Sequence, residues 1–327
     1  MPESPFQFEY TKRFDPQPIS YFSGKRPREV ADTRERPPYV YNDHIVLAVN
    51  VALASGRPLL VRGPTGCGKS TLARNAAHVL KRRYYEHVIT SRTQAKDLLY
   101  EVDLLSRLHD AQAAARDAGT PFDSSFDRYV KPGALWWAFD RKSALWNGRS
   151  VGHPGITKNE DPCTEHPDQP AVVLIDEIDK ADPDVPNNLL VPLGSLRFRV
   201  DETGIEVATT PETAPLVIIT TNDERQLPTA FLRRCVELKL PTVTRATLEN
   251  VGRAHFKGTQ NITWIRGMLD ALLGKGDAQD EVDLSPAELV DTLCAANGLS
   301  IDEATRPEEW KALTGITVFK SERNRNP

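Results

Sequence analysis

Gly63-Pro64-Thr65-Gly66-Cys67-Gly68-Lys69-Ser70 matches the pattern G-x-x-x-x-G-K-[ST] without a gap. In this pattern, glycines allow successive backbone N–H groups to turn inward around phosphate groups. The short apolar run Pro58–Val61 precedes the motif, and the helix-forming run Ser70–Lys81 follows it. A chance match on a turn is the alternative, but a strand, a glycine-rich loop and a helix in this order favour phosphate binding.

The residue types of this loop predict which parts of a nucleotide they bind. Lys69 supplies a mobile cation for the β and γ phosphates, and the hydroxyl of Ser70 can ligate Mg²⁺. Contacts to the nucleotide are expected along the whole segment Gly63–Thr71. Guanine-specific binding is not favoured, because Thr221–Glu224 lacks the Asn-Lys-x-Asp pattern that reads guanine in many GTPases. ATP and Mg²⁺ are therefore the expected cofactors.

Continuous apolar runs predict a mostly parallel sheet that helices cover on both faces. These runs are Pro58–Val61, His87–Thr90, Ala171–Asp176 and Leu216–Thr221. Shorter helical patterns follow Pro241, at Ile262–Leu273, Pro286–Ala296 and Pro307–Leu313. The predicted fold is an α/β P-loop NTPase αβα sandwich followed by a small α-helical lid domain. The predicted parts are a proline-rich, extended N-terminal arm (1–40), the nucleotide-binding core (41–240) and the lid (241–327).

Two carboxylates follow a buried strand of this sheet. The apolar run Ala171–Ile175 leads directly into Asp176 and Glu177, at the strand end where open α/β sheets place their ligands. Asp176 is suited to hold Mg²⁺ through its water shell, and Glu177 is the natural general base for an attacking water. An acidic turn after a strand is common in isolation, but here it follows a phosphate loop in the same chain.

Two further sites fit a hydrolytic role. Asn222 ends the run Leu216–Thr221 and has the chemistry to orient the attacking water, although an Asn after a strand is usually only a turn former. Arg233 and Arg234 place two guanidinium groups together, and guanidinium stabilises charge on a transferring phosphoryl group. Adjacent arginines are otherwise mostly solvated surface residues.

Composition sets bounds on the class of protein. The chain has 327 residues, a net charge of -4 and a pI near 6.0, without the basic footprint of a dedicated nucleic-acid binder. No apolar stretch approaches the roughly 20 residues needed to span a bilayer. The N-terminus lacks a signal-peptide pattern, and the four cysteines are widely scattered. A cytoplasmic protein is expected, with nucleic acid a possible but less favoured partner.

The motifs together resemble those of the AAA+ ATPases, and within them the MoxR-like branch. The resemblance rests on the phosphate loop, Val172–Lys180, Thr220–Asn222 and Leu227–Arg234, which occur in family order. It implies a homo-oligomeric, hexameric ring in which Arg234, helped by Arg233, reaches the γ phosphate bound to a neighbouring subunit. It also implies that Asn222 is the first sensor, and that the protein remodels or chaperones a protein partner, such as a von Willebrand factor A domain protein.

The MoxR branch also carries two additions and a second sensor. An insert is expected within about residues 120–165, with Gly133–Gly152 as the candidate, and a hairpin is expected at Ser195–Thr209. The second sensor is a basic residue at the start of a lid helix. The corresponding segment here is Leu284–Leu289, which contains no Arg or Lys.

Two other functions stay open at this point. One is a DNA-handling ring that feeds a nuclease or clamp, and the other is a nucleotide-gated scaffold with little turnover, against which Glu177 argues. The weaker signals are the metal-like donors His153, Cys163 and His166, the aromatic residues Trp136, Trp137 and Trp146, and the basic triplet Lys81-Arg82-Arg83. They favour no zinc site, burial of the tryptophans, and a helix end at the triplet.

Overall fold

The computed structural model describes residues 10–20, 38–116, 125–153, 155–256, 262–301, 303 and 305–322. Its contacts divide the chain into two compact units. We call Ala48–Val61 and Ala76–Glu237 the sheet unit, and Met1–Leu47, Arg62–Asn75 and Leu238–Pro327 the phosphate-loop unit.

The described residues form both strands and helices, and the last four elements in chain order are helices. The strands are β1 (Ile19–Ser20), β2 (Tyr39–Val40), β3 (Leu59–Arg62), β4 (Arg83–Val88), β5 (Tyr100–Val102), β6 (Val130–Pro132), β7 (Ala171–Asp176), β8 (Arg197–Arg199), β9 (Glu206–Ala208), β10 (Leu216–Thr221) and β11 (Val236–Lys239). The helices are α1 (Asp43–Ser55), α2 (Lys69–Leu80), α3 (Leu104–Arg116), α4 (Ala134–Phe139), α5 (Arg141–Ala144), α6 (Asp184–Ser195), α7 (Thr229–Leu232), α8 (Arg245–His255), α9 (Ile262–Leu273), α10 (Pro286–Leu299) and α11 (Pro307–Glu322). Single 3₁₀ turns lie at Ala95–Leu98 and Ile178–Lys180.

Five strands form one sheet in the order β11-β3-β10-β7-β4. Its strand β7 pairs in parallel with both β10 and β4. Every residue of Ala171–Ile175 is fully buried, as expected for a parallel strand with helices on both faces. The prediction of an αβα sandwich with a mostly parallel sheet and a helical C-terminal part is confirmed.

Strand β4 begins earlier than the sequence predicts. The apolar pattern favours His87–Thr90, whereas β4 starts at Arg83 and pairs residue by residue with β7. Arg83 is 6% exposed, and its guanidinium donates to the backbone carbonyl groups of Gln169 at 2.8 Å and Trp137 at 2.7 Å. These acceptors replace water, so Arg83 is a buried strand residue rather than a cation at a helix end.

The candidate insert Gly133–Gly152 is in large part core. It contains α4 and α5, and the side chains of Leu135 and Trp136 are fully buried. Trp137 is also buried, whereas Trp146 is half-buried. Earlier in the chain, β5 and β6 pair antiparallel, and α3 lies between them in sequence. The segment Ser195–Thr209 contains the antiparallel pair of β8 and β9.

The phosphate-loop unit has a helical core and an N-terminal strap, by which we mean residues 10–20 and 38–41. Helices α8 to α11 pack around a common apolar cluster that includes Met268 and Leu289, both fully buried. In the strap, β1 pairs antiparallel with β2, and the fully buried Phe14 packs edge-on against Tyr41. This part of the predicted extended arm is therefore packed, and residues 1–9 and 21–37 lie outside the described residues.

Within the described part of the chain, no helix has the length and apolar character needed to cross a membrane.

Candidate functional site

The phosphate loop, residues 63–70, joins β3 to the first turn of α2, which begins at Lys69. Gly66 and Gly68 have φ values of 78° and 95°, which favour glycine over any residue with a Cβ. Lys69 is 7% exposed, and its Nζ donates to the carbonyl groups of Gly63 at 2.7 Å and Pro64 at 2.8 Å. The ammonium group is thus held against the loop, and phosphate oxygens can replace these two carbonyl acceptors. The loop fits a bound phosphate chain.

The strap lies directly against this loop. A Cβ on Gly68 would approach the ring of Tyr39 to 3.4 Å. The hydroxyl of Tyr41 donates to Asn75 Oδ1 on α2 at 2.9 Å, and both of these side chains are buried. Burial raises the pKa of Tyr39, with a smaller contribution from the nearby Cys67, so this phenol stays neutral. Neither tyrosine was predicted from the sequence, although two aromatic residues immediately before α1 were a signal.

The first turn of α10 also contacts the phosphate loop. Ser285 caps this helix, accepting a hydrogen bond from the backbone N–H of Glu288, and the N–H of Ala287 donates to the Gly66 carbonyl at 3.2 Å. A Cβ on Gly66 would lie 2.8 Å from the hydroxyl oxygen of Ser285. The segment Leu284–Leu289 thus lies at the loop, as the resemblance implies for a second sensor. This segment contains no Arg or Lys, and its contact with the loop is the backbone hydrogen bond of Ala287.

In the sheet unit, Thr220 organises the two carboxylates at the end of β7. Its hydroxyl donates to the carboxylate of Asp176 and accepts from the backbone N–H of Glu177 at 2.9 Å. One threonine therefore fixes the orientation of Asp176 and joins the ends of β7 and β10. A single oriented carboxylate fits Mg²⁺, which usually keeps several waters and takes its remaining ligands from substrate phosphates.

Glu177 has an unusual backbone conformation. Its φ of 60° and ψ of 49° are left-handed, a conformation that costs a non-glycine residue about 1–2 kcal/mol. Its side chain is 27% exposed, and one carboxylate oxygen lies 2.6 Å from Nζ of Lys180. This hydrogen bond raises the pKa of Lys180. Strain of this kind is typical of functional sites, and the accessible carboxylate suits the role of a proton acceptor.

Asp179 connects the carboxylate turn to the predicted sensor. Its carboxylate accepts from the backbone N–H of Asn222 at 3.1 Å and from that of Glu224 at 3.0 Å, and the residue is 2% exposed. Asp176, Glu177 and Asn222 therefore lie together at one edge of the sheet. No role was predicted from the sequence for Thr220, Asp179 or Lys180, although Asp179 continues the acidic run after β7.

The paired arginines follow α7. Arg233 and Arg234 are both exposed, and their guanidinium groups form no ion pair or hydrogen bond with any residue that the structure describes. Their backbone carbonyl groups, in contrast, both accept hydrogen bonds from Arg57. The two side chains are thus available to a ligand or a second chain.

The described residues provide no support for a zinc site. Among them, no three His, Cys, Asp or Glu side chains are grouped so that they could hold a metal ion. Cys163 instead accepts a hydrogen bond from the backbone N–H of Tyr84 at 3.4 Å.

Residues 58–235 match the sequence profile of a protein family, the AAA domain of the dynein-related subfamily. A point mutant of RuvB from Thermotoga maritima is structurally similar, with a TM-score of 0.44, 14% identity, and coverage of 85% of this chain and 68% of that one. A Thermotoga maritima RuvB described as a Holliday junction branch migration motor has a TM-score of 0.41 and 14% identity, and the match covers 84% of this chain and 66% of that one. A Cytophaga hutchinsonii protein with a provisional ATPase assignment has a TM-score of 0.40 and 14% identity, and the match covers 83% of this chain and 78% of that one. No curated protein sequence matches significantly. These likenesses concern the fold alone.

Proposed function

Because the chain belongs to the family of AAA domains of the dynein-related subfamily, we propose that it binds ATP with Mg²⁺ and hydrolyses it to ADP and phosphate. The observation that carries the proposal is the phosphate loop, in which positive-φ glycines and the buried Lys69 stand at the start of α2. Mg²⁺, when bound, would neutralise charge on the transferring phosphoryl group.

The protein's own residues take distinct roles in this proposal. Lys69 binds the β and γ phosphates, while Ser70 would ligate Mg²⁺ and Asp176 would hold it through its water shell. Glu177 accepts the proton of the attacking water, and Asn222 orients that water by hydrogen bonding. The hydrogen bonds of Thr220 and Asp179 support these assignments, because they hold the acid pair and the sensor at one sheet edge.

We further propose a hexameric ring of the MoxR-like type. Arg234, helped by Arg233, would stabilise the γ phosphate bound to a neighbouring subunit, and the exposure of both guanidinium groups supports this role. Such a ring would remodel or chaperone a protein partner, with a von Willebrand factor A domain protein as the candidate. The alternative of a DNA-handling motor predicts ATPase that DNA stimulates and DNA affinity that falls with salt.

Variants of the base and the loop test the ATPase proposal. We expect Glu177→Gln to lower kcat by about 100-fold or more while ATP still binds, because only proton transfer is removed. Lys69→Ala should weaken ATP binding itself. Glu160→Gln is the matched control, since Glu160 is an exposed carboxylate in the same unit. Unchanged turnover in Glu177→Gln would contradict the assignment of the base, and absence of ATP binding to the unaltered protein would contradict the function.

The mass of the assembly tests the ring. It is measured by light scattering with and without a slowly hydrolysed ATP analogue, for the unaltered chain and for Arg234→Ala. We expect assembly with the analogue, and ATPase that depends on Arg234. A monomer that hydrolyses ATP at the same rate with or without Arg234 would contradict the ring.

A further inference from the structure

Arg57 makes a contact that the proposed hydrolytic set does not include. It is an exposed residue between α1 and β3, and its guanidinium donates to two successive backbone carbonyl groups. Nε donates to the carbonyl of Arg234 at 3.2 Å, and Nη2 donates to the carbonyl of Arg233. We propose that Arg57 is a positioning residue for the arginine pair. This inference rests on the proposed role of that pair in a neighbouring subunit's site.

The turn that carries the pair has carbonyl groups that need donors. Helix α7 covers only Thr229–Leu232, and the last carbonyl groups of a helix lack partners within it. The N–H of Arg233 bonds back to Thr229 at 3.1 Å, and that of Arg234 bonds to Phe231 at 3.0 Å. Phe231 is fully buried, so the core fixes one side of the turn. Arg57 fixes the other side by donating to the carbonyl groups of Arg233 and Arg234.

Arg57 itself is anchored on both sides along the chain. Gly56, with a φ of 65°, follows the end of α1, and Pro58 restricts the backbone of the residue before it to extended conformations. The carbonyl of Pro58 accepts from the N–H of Val236 at 2.8 Å, just beyond the arginine pair. The pairing of β3 with β11 therefore begins beside the contact of Arg57 with the arginine pair.

The geometry calls for a guanidinium rather than any cation. Arg presents a planar fork of donors that reaches two acceptors at once, whereas the Lys ammonium is a single point of donation on a flexible stem. Arg57→Lys should therefore keep the charge but release one of the two carbonyl groups. It separates the role of the fork from a general effect of positive charge near the site.

The first test separates catalysis from nucleotide binding. We expect Arg57→Ala to lower kcat about 10- to 100-fold, because a shift of about 1 Å in a catalytic group can cost a factor of this size. The affinity for ATP should change by less than about twofold, since Arg57 is not proposed to bind the nucleotide. The kcat of Arg57→Lys should lie between those of Arg57→Ala and the unaltered protein. Arg92→Ala, which alters another exposed arginine, should leave kcat unchanged.

Mixed rings distinguish a positioning role from a general structural role, because only a positioning role predicts recovery of ATPase activity when two defective variants are combined. Lys69→Ala subunits keep an intact arginine pair but lose nucleotide binding, whereas Arg57→Ala subunits keep the phosphate loop. In rings reassembled from equal amounts, about one quarter of the interfaces combine an intact loop with an intact pair. We expect ATPase near that fraction of the unaltered level, from two preparations that are each nearly inactive alone. Arg234→Ala mixed with Lys69→Ala is the positive control.

The outcomes separate this inference from the function on which it rests. Recovery with Arg234→Ala but none with Arg57→Ala would overturn the positioning role. Recovery with neither would overturn the proposed role of the pair in a neighbouring site. Thermal unfolding is followed in parallel, and if Arg57→Ala does not fold, Arg57→Gln replaces it in both tests and the same outcomes decide.

Discussion

Substitution of Gly66 tests the contact between the phosphate loop and the first turn of α10. Two terms oppose Gly66→Ala. A φ of 78° costs a residue with a Cβ about 1–2 kcal/mol. The added Cβ would lie 2.8 Å from the Ser285 hydroxyl oxygen and 3.0 Å from its Cβ, and overpacking of this kind costs about 1–3 kcal/mol. We expect the free energy of unfolding to fall by about 2–5 kcal/mol in the absence of nucleotide.

Gly274→Ala is the matched control. Gly274 lies in the same unit with a φ of 77°, and an added Cβ would meet nothing within 4 Å. It should therefore show only the backbone cost, and the difference between the two variants measures the contact. Urea unfolding gives both free energies, and hydrogen exchange gives the protection of the Ala287 N–H, which donates to the Gly66 carbonyl. Equal costs and unchanged exchange at Ala287 would refute the reasoning.

Three further predictions concern the buried Asp179 and Arg83 and the half-buried His87. Asp179→Ala should lower the free energy of unfolding by about 2–4 kcal/mol, because it leaves the N–H groups of Asn222 and Glu224 without their acceptor. It should also lower kcat, and urea unfolding with an ATPase assay checks both; normal values of both would contradict the role. Arg83→Met should lower the free energy of unfolding, measured by urea unfolding, by about 2–4 kcal/mol, because buried carbonyl groups lose their donor. A stable Arg83→Met protein would contradict that account. Burial lowers the pKa of His87 below 6.5, so the unfolded chain binds a proton at a higher pH than the folded chain does. Stability should fall as the pH decreases from 7.5 through 6.5, and His87→Gln should weaken this dependence, which unfolding curves across pH measure; an unchanged slope would count against it.

The central sheet could be predicted because its strands carry a local signal. Ala171–Asp176 and Leu216–Thr221 are continuous apolar runs, which is what burial on both faces requires. Strand β4 carries no such signal, since Arg83 and Glu86 interrupt its apolar residues. Arg83 is stabilised by carbonyl groups that are distant in sequence, and no local pattern reports them.

The candidate site divides in the same way. The phosphate loop and the acid pair are short, contiguous motifs, so their residues could be named from the sequence. The contacts of Ser285 with Gly66 and of Arg57 with the arginine pair join segments far apart in the chain. Each depends on tertiary packing rather than on spacing. Burial of Trp136 and Trp137 could be predicted from their residue type, whereas the elements that they pack against could not.

The buried Phe14 has a practical consequence for anyone who trims this protein. Its ring packs on Tyr41, whose hydroxyl is bonded to α2, the helix that continues from the phosphate loop. An expression boundary chosen just before α1 would delete that ring along with Tyr39, and would expose the loop to water at Gly68. Loss of nucleotide binding in such a trimmed protein would then report a removed support rather than a missing domain.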